Sequence, residues 1–144
     1  MSEILQGTAG ELPAVEAMLL QAGLPLDGLR QSAKLTVARL AGRVVGAAAL
    51  ETYKNGVLLR SVVVAEELRN SGLGQRLTLA ALAAASRSGH RTAYLLTTTA
   101  GGFFGRFGFV AIDRADVPAD VKQSVEFTSA CPASALVMRA ALAP

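Results

Sequence analysis

The chain has one cysteine, Cys131, and one histidine, His90. A disulfide needs two cysteines, and the usual structural zinc sites need four Cys or His ligands. The sequence therefore predicts neither an internal disulfide nor a metal site. Since no histidine lies near Cys131 in the sequence, we expect a buried small side chain there and not a nucleophile.

Aromatic residues, runs of like charge and long apolar runs are also scarce. Aromatic residues make up 5% of the chain, and 14 Lys and Arg stand against 11 Asp and Glu without a basic run. Nucleic-acid binding, which uses clustered cations and stacking rings, is therefore not expected. No apolar run approaches the roughly 20 residues that span a bilayer, and the N-terminus lacks the order of a secretory signal. We expect no membrane partner and a cytoplasmic protein.

The 144 residues, 51% of them hydrophobic, are enough for one globular domain, which we expect to span residues 1–144. A capping box at Thr8-x-x-Glu11 and a hairpin signal at Asn55-Gly56 mark two boundaries. Hydrophobic periodicity predicts strands at 4–6, 34–40, 44–50, 57–64, 92–97, 109–112 and 134–139. It predicts helices at 9–22, 73–87 and 100–107, a helix or loop at 26–32, and a helical turn at 117–124. These elements indicate an α+β fold with a mixed sheet of six or seven strands flanked by helices.

The stretch from Val62 to Gln75 carries the strongest functional signal. A β-branched strand ends there in Arg69-x-x-Gly72-x-Gly74, and a helix follows at once. The first turn of a helix has unpaired N–H donors and a partial positive charge, so such a turn suits a phosphate or pyrophosphate. The dinucleotide fingerprint would need a third glycine and a parallel first strand, and no Gly-x-x-x-x-Gly-Lys is present. The sequence therefore matches neither the dinucleotide-binding fold nor the nucleoside-triphosphate-binding loop.

Further segments extend this pattern over nearly the whole chain. They are Val62-x-Val64, Arg69-x-x-Gly72-x-Gly74, an Ala/Leu helix, Leu95-Leu96 and Ala100-x-x-Phe103-Phe104-x-x-x-Gly108-Phe109. Together they resemble the GCN5-related N-acetyltransferase (GNAT) superfamily. The resemblance implies a sheet that splays after Val64, the end of the fourth strand, to admit the pantetheine arm of acetyl-CoA.

The resemblance also implies which residues hold acetyl-CoA as cosubstrate, without a metal. The backbone of Val62, Val63 and Val64 would hold the thioester and pantetheine arm, with an N–H near Val63 or Val64 stabilising the oxyanion. The amides of the turn would cradle the pyrophosphate, and these belong to Arg69, Asn70, Ser71, Gly72, Leu73, Gly74 and Gln75. Thr97, Phe103 and Phe104 would lie beside the same ligand.

The implied chemistry also needs groups for proton transfer. The attacking amine must lose a proton, and Glu51 is the nearest candidate acceptor, with Glu126 second; a solvated carboxylate is the alternative for Glu51. Many relatives have a tyrosine that protonates the departing thiolate, whereas this chain has Phe104 there. Thr97 likewise replaces a frequent asparagine. Either a different donor or water protonates the thiolate, or the chain has lost activity.

Other segments indicate the chemical class of the acceptor substrate. They are Leu59-Arg60-Ser61, residues 96–100, Asp113-x-x-Asp116-Val117-Pro118 and Cys131-Pro132-Ala133-Ser134-Ala135. They are similar to the amino-acid acetyltransferase branch, which includes N-acetylglutamate synthases and small acetyltransferases associated with arsenic resistance. A small amino acid or analogue is therefore the expected substrate. A substrate carboxylate needs cations and neutral donors, for which the candidates are Arg60, Lys122, Ser134 and Arg139.

Two rival functions remain open. Acetylation of a protein N-terminus or a lysine predicts an open and acidic groove, and a CoA-binding module without activity would explain Phe104. Relatives are commonly dimers, and an apolar C-terminal strand with an exposed edge would be compatible with a homodimer.

Overall fold

Seven strands form one sheet, and helices cover both of its faces. In the computed structural model, which describes residues 2–143, the strands are β1 (Glu3–Gln6), β2 (Ala33–Leu40), β3 (Arg43–Tyr53), β4 (Gly56–Val64), β5 (Thr92–Thr97), β6 (Val110–Ile112) and β7 (Leu136–Ala141). The helices are α1 (Leu12–Gln21), α2 (Leu29–Ser32), α3 (Leu73–Arg87) and α4 (Gly101–Gly105). The expected α+β fold, with a mixed sheet of six or seven strands flanked by helices, is confirmed.

The strand order is β1-β2-β3-β4-β5-β7-β6, with β4 and β5 parallel and the other neighbours antiparallel. Helix α3 connects β4 to β5 and has the bounds that its Ala/Leu composition predicted. The parallel pairing of β4 with β5 is the arrangement expected for a strand-helix-strand unit.

Strand β3 is buried on both faces. Ala47 packs in a buried cluster with Val15 and Leu19 of α1, whereas the next residue, Ala48, packs in a second cluster with Leu77 of α3. Successive side chains of a strand point to opposite faces, so a continuous apolar run serves two helices at once. The sheet is therefore the middle of three layers.

Several boundaries differ from the prediction. The helix predicted at 9–22 is a 3-10 turn, Ala9–Glu11, followed by α1, and its capping box is present, with the Thr8 N–H donating to Glu11 Oε1 at 2.9 Å. The uncertain segment 26–32 contains α2. The helix predicted at 100–107 is the shorter α4, and the turn predicted at 117–124 is reduced to Val121–Gln123.

The second hairpin lies one residue earlier than its sequence signal. Gly56 pairs with Tyr53 inside the ladder, and the loop is formed by residues 54 and 55. A Cβ added at Gly56 would lie 2.8 Å from Tyr94 Cε2 and 3.1 Å from the Thr92 carbonyl oxygen. Gly56 is therefore required by the close approach of β5, in addition to any role in the turn.

Strands β4 and β5 separate soon after they meet. They pair at residues 57–58 with 93–94, and no further pair joins them within residues 2–143. The sheet thus splays between its fourth and fifth strands, as expected. The opening begins after Leu58, however, and not after Val64 as we had predicted.

A β-bulge lies just beyond the point of separation. The register of β4 with β3 shifts between Ala47 and Ala49, and Ser61 in the facing part of β4 has a φ of +59°, in the left-handed region. A bulge bends its strand and increases the local twist. The last residues of β4 are thereby directed away from β5.

The C-terminal strand β7 lies inside the sheet. It pairs with β5 on one side and with β6 on the other, so β1 and β6 form the edges. The expectation of an exposed edge at the C-terminal strand is therefore wrong, because the short β6 adds to the free side of β7. The homodimer stays a prediction without that support.

Candidate active site

A cavity of about 870 Å³ lies in the opening between β4 and β5. Its walls come from the end of β4, the turn before α3, the end of β5, the start of α4, and two loops at 22–25 and 130–132. The sequence-predicted residues that line it are Arg60, Val62, Val63, Val64, Arg69, Asn70, Gly72, Gly74, Gln75, Thr97, Phe103, Phe104 and Glu126. The fold thus brings three separate stretches of sequence to one opening.

One side of the cavity, here called the strand-and-turn wall, consists of Val62–Val64 and Arg69–Gln75. Beyond Leu58, the edge of β4 toward β5 has no strand partner within residues 2–143, so backbone groups along it remain available. Arg69 closes the corner, because its Nε donates to the Val64 carbonyl oxygen at 3.3 Å. An extended chain with amide groups can pair with such an edge as an added strand.

The turn of this wall places a helix N-terminus beside the strand edge. Asn70 and Gly72 have φ values of +66° and +86°, and α3 begins at the next residue, Leu73. The 15-residue helix leaves the N–H groups of its first turn without partners in the helix. Together with the cationic side chain of Arg69, this end suits an anion such as a diphosphate.

Gly74 leaves room for a ligand to approach the backbone. A Cβ at this position would lie 3.6 Å from Val64 Cγ2 and 3.7 Å from Phe103 Cζ, which are ordinary contacts. Ser71 and Leu73 do not line the cavity: the Ser71 hydroxyl donates to the Leu68 carbonyl, and Leu73 is buried in the core. A contribution of these two to a ligand would come from their backbone.

The facing wall is apolar and contains Phe103 and Phe104. Their rings meet edge to face with centroids 5.0 Å apart, and Arg106 stacks 5.8 Å from the centre of the Phe103 ring. Thr97 Oγ1 accepts a hydrogen bond from the Ala100 N–H at 2.9 Å, which fixes the start of α4. Since the Thr97 oxygen is the acceptor, its hydroxyl proton is still available to a ligand.

A group of ionisable and polar side chains adjoins the other end of the cavity and is here called the Arg60 cluster: Arg60, Glu51, Tyr53, Glu126 and Cys131. The Arg60 side chain is fully buried. Its Nη1 donates to Glu51 Oε2 at 2.9 Å, and its Nη2 lies 3.5 Å from Glu126 Oε2. One guanidinium therefore faces two carboxylates.

Arg60 has further partners on the backbone and on a neighbouring hydroxyl. Its Nη1 donates to the Asp27 carbonyl at 2.6 Å, its Nη2 to the Pro25 carbonyl at 3.3 Å, and its Nε to Ser61 Oγ at 3.0 Å. With the bond to Glu51, Arg60 donates four hydrogen bonds to protein groups, and its Nη2 also faces Glu126. Arg60 lies at the cavity, as predicted, but its hydrogen bonds go to protein groups, which argues against a role in holding a substrate carboxylate.

The two candidate proton acceptors, Glu51 and Glu126, differ in whether they can be reached from the cavity. Glu51 is 1% exposed and does not line the cavity, and its oxygens receive hydrogen bonds from Tyr53 and Arg60. Glu126 does line the cavity. Burial raises the pKa of the Glu126 carboxyl above its usual value, while the positive charge of Arg60 opposes this rise. The structure thus places the second sequence candidate, and not the first, at the opening.

Burial also affects the proton-bearing neighbours of the carboxylates. It raises the pKa of the Cys131 thiol to about 12, with the adjacent Glu126 adding to the rise. It raises the pKa of Tyr53 to about 12, with the hydrogen bond to Glu51 as a further cause. Cys131 therefore remains a thiol at neutral pH, which agrees with the expectation that it is not a nucleophile.

Three predicted substrate residues lie away from the cavity. Lys122 is in the 3-10 turn Val121–Gln123, Ser134 is exposed in the loop before β7, and Arg139 is exposed on β7. Within residues 2–143, no helix has the length and apolarity to cross a bilayer, and no group of three or more His, Cys, Asp or Glu side chains is placed to hold a metal ion.

Sequence reasoning missed two parts of the site. Ser61 lines the cavity in the bulge, yet nothing in its sequence context indicates a left-handed serine. The loop 22–25 also lines the cavity; Gly23 and Pro25 marked it as a helix end, but its contact with β4 includes the Arg60 hydrogen bond to the Pro25 carbonyl. Both are consequences of tertiary contacts.

Comparison with known proteins shows the family to which the chain is similar. The model of a family described as an acetyltransferase (GNAT) domain matches residues 31–111. The uncharacterized N-acetyltransferase CT2212 of Chlorobaculum tepidum is 36% identical over 83 residues, which are 57% of this chain and 53% of that protein. The chain thus spans about half the length of this curated relative.

Solved structures share the fold at low sequence identity. N-acetylglutamate synthase from Neisseria gonorrhoeae, complexed with coenzyme A and N-acetyl-glutamate, has a TM-score of 0.83 at 18% identity over 100% of this chain and 36% of its own. Rv2747 from Mycobacterium tuberculosis, in a complex that includes CoA, has a TM-score of 0.81 at 21% identity, covering 98% of this chain and 99% of its own. At these identities the likeness establishes the fold.

Proposed function

The chain belongs to the acetyltransferase (GNAT) domain family, and on this premise we propose that it transfers the acetyl group of acetyl-CoA to the primary amine of a small amino acid or amino-acid analogue. The observation that carries this proposal is the strand-and-turn wall. An open strand edge and a helix N-terminus adjoin in one cavity, and these are the two features that a pantetheine arm followed by a diphosphate requires.

The chemistry follows from what this wall offers. The amides of Val62–Val64 would pair with the amide groups of the arm, and an N–H of Val63 or Val64 would stabilise the oxyanion formed when an amine attacks the thioester. One such fixed donor contributes about 10²-fold or more to a rate. The turn at Arg69–Gln75 would hold the diphosphate, with Arg69 and Arg106 adding positive charge beside the cavity.

A small acceptor is supported by the dimensions and closure of the cavity. Its volume of about 870 Å³ is shared by the donor and the acceptor, and loops 22–25 and 130–132 bound the end at the Arg60 cluster. The structural neighbour from N. gonorrhoeae is complexed with an N-acetylated amino acid, which adds support by analogy. The segment 131–135 resembles the arsenic-resistance group, so we include arsenic and phosphinate analogues of amino acids among the acceptors.

The test is a thiol-release assay with acetyl-CoA across amino acids, their phosphinate and arsenic analogues, and a lysine-containing peptide. We expect release with at least one small amine and an acetylated product of matching mass. Release with the peptide alone would favour a protein acetyltransferase. Binding of CoA without release by any amine would favour the CoA-binding module, for which the lack of a hydroxyl on Phe104 is the supporting observation.

A further inference from the structure

The two carboxylates of the Arg60 cluster, Glu51 and Glu126, differ in how fully they are hydrogen-bonded. Glu51 receives hydrogen bonds on both oxygens, from Tyr53 and from Arg60, and lies behind the cavity wall. Glu126 makes only long contacts: Oε2 is 3.5 Å from Arg60 Nη2, and Oε1 is 3.5 Å from Cys131 Sγ. Because contacts of this length are weak, each Glu126 oxygen retains most of its capacity to accept a hydrogen bond.

The position of Glu126 is fixed from both sides. Its own segment is the π-helical turn Glu126–Ala130, whose first N–H donates to Ser124 Oγ at 3.2 Å. On the other side Arg60 is held by the Pro25 and Asp27 carbonyls and cannot follow a ligand into the cavity without losing them. Glu126 is therefore a nearly buried residue, 5% exposed, that lines the cavity with its carboxylate 3.5 Å from a fixed cation.

We propose that Glu126 binds the ammonium group of the acceptor and accepts its proton, and that Arg60 is the positioning residue that holds Glu126 at the cavity wall. The inference rests on the proposed function, since a proton acceptor is needed only if an amine is acetylated. It assigns Glu51 to the support of Arg60 and not to the proton transfer.

The proton and electron balance of the step is complete with the groups present. One proton passes from the ammonium nitrogen to the Glu126 carboxylate, which frees the nitrogen lone pair. The nitrogen then bonds to the thioester carbon, the carbon–sulfur bond breaks, and its electron pair leaves on the CoA sulfur. The second nitrogen proton goes to that thiolate through solvent, and Glu126 returns its own proton to water.

The charges that face Glu126 come from every element packed around it. Arg60 approaches from β4, Glu51 lies behind Arg60 on β3, Asp27 lies in the loop before α2, and Cys131 follows the π-helical turn. Burial and the two acidic neighbours raise the pKa of Glu126, whereas Arg60 lowers it. The net rise from the usual 4.5 makes the carboxylate a better proton acceptor near neutral pH.

The experiment measures kcat against pH for the wild-type chain and for Glu126→Gln, at saturating acetyl-CoA and a small amine found active in the thiol-release assay. We expect wild-type kcat to fall as the pH drops through the Glu126 pKa. In E126Q kcat should be lower by about 10²-fold or more, without that fall, while the Kd for CoA stays unchanged. Glu16→Gln is the matched control, because Glu16 also pairs with an arginine, Arg30, but lies outside the cavity.

Two further variants keep the proposal open to refutation. Glu126→Asp retains a carboxylate, so its kcat should still fall at acidic pH and should be less than about tenfold below that of the wild type. If kcat of this variant no longer falls at acidic pH, the proposal is wrong. This test does not depend on whether E126Q folds. In Glu51→Gln, kcat should still fall at acidic pH. If it does not, Glu51 and not Glu126 is the proton acceptor.

The failure of this inference can be told from the failure of the proposed function. If the wild-type chain binds CoA but acetylates no amine, both fail. If the wild-type chain is active and E126Q has the same kcat, only this inference fails.

Discussion

The two ends of the cavity are built in different ways. The strand-and-turn wall is mostly backbone and comes from one continuous stretch, Val62–Gln75. The Arg60 cluster consists of side chains that come from β3, β4 and the segment 126–131, with backbone partners before α2. The wall therefore tolerates many side-chain changes but little added volume, whereas the cluster tolerates small changes of shape but not the loss of a charge.

The largest effect is expected from removing the central charge of the Arg60 cluster. Arg60→Met leaves Glu51 and Glu126 buried without their cation, and we expect a loss of about 3–5 kcal/mol in the free energy of unfolding, measured by urea denaturation. The deficit should shrink at acidic pH, because protonation of Glu126, whose pKa burial raises, removes an unpaired negative charge.

The matched control for that variant is Arg30→Met, which breaks an exposed Arg–Glu pair on the surface. Exposed pairs contribute little, so this variant should unfold close to the wild type. Equal destabilisation by the two variants would show that the Arg60 cluster is not a buried electrostatic unit.

At the wall, added volume should affect binding and leave folding intact. Gly74→Ala puts a methyl group between Val64 and Phe103 at the cavity surface without a clash. We expect the Kd for CoA to rise about tenfold or more, since the backbone can no longer approach the diphosphate as closely. Thermal stability should stay level or rise, because alanine favours a helix over glycine.

Gly102→Ala provides the comparison for this variant. Gly102 is also helical, and a Cβ there would meet no atom within 4 Å. CoA affinity should be unchanged, as judged by the same titration. A similar loss of affinity in both variants would contradict the close approach at Gly74.

The smallest effect is expected at the facing wall. Phe104→Tyr adds a hydroxyl to a ring that lines the cavity, at the position where the family resemblance implies a tyrosine. A departing thiolate needs little protonation, so kcat should change by less than about tenfold. A gain near the 10²-fold typical of a general acid would show that proton donation limits the wild-type reaction.

The sequence revealed the wall more fully than the cluster, for a physical reason. The wall is local, so a glycine pattern between a β-branched run and an Ala/Leu helix predicts both its shape and its charge. Arg60, Glu51 and Glu126 were each recognised as polar residues with a possible role, but their mutual contacts depend on how β3, β4 and the segment after β6 meet. Sequence alone therefore assigned Arg60 to a substrate, whereas the structure shows its donors engaged within the protein.

The same distinction applies to the fold. Helix α3 was predicted with its observed bounds because composition and a glycine stop act locally. The insertion of β7 between β5 and β6 could not be read from its apolar pattern, since a strand that pairs on one side or on two has the same alternation. The bulge at Ser61 was missed because it arises from pairing with β3.

The interior position of β7 also determines when the sheet can be completed during synthesis. Strand β6 pairs only with β7 among the described strands, and β5 joins the first half of the sheet through two residue pairs. On a ribosome, β1–β4 with α1 and α3 can assemble early, while β5 and β6 wait for Leu136–Ala141 to emerge. The cavity, whose walls belong to both halves, is therefore completed only after β7 has paired with β5.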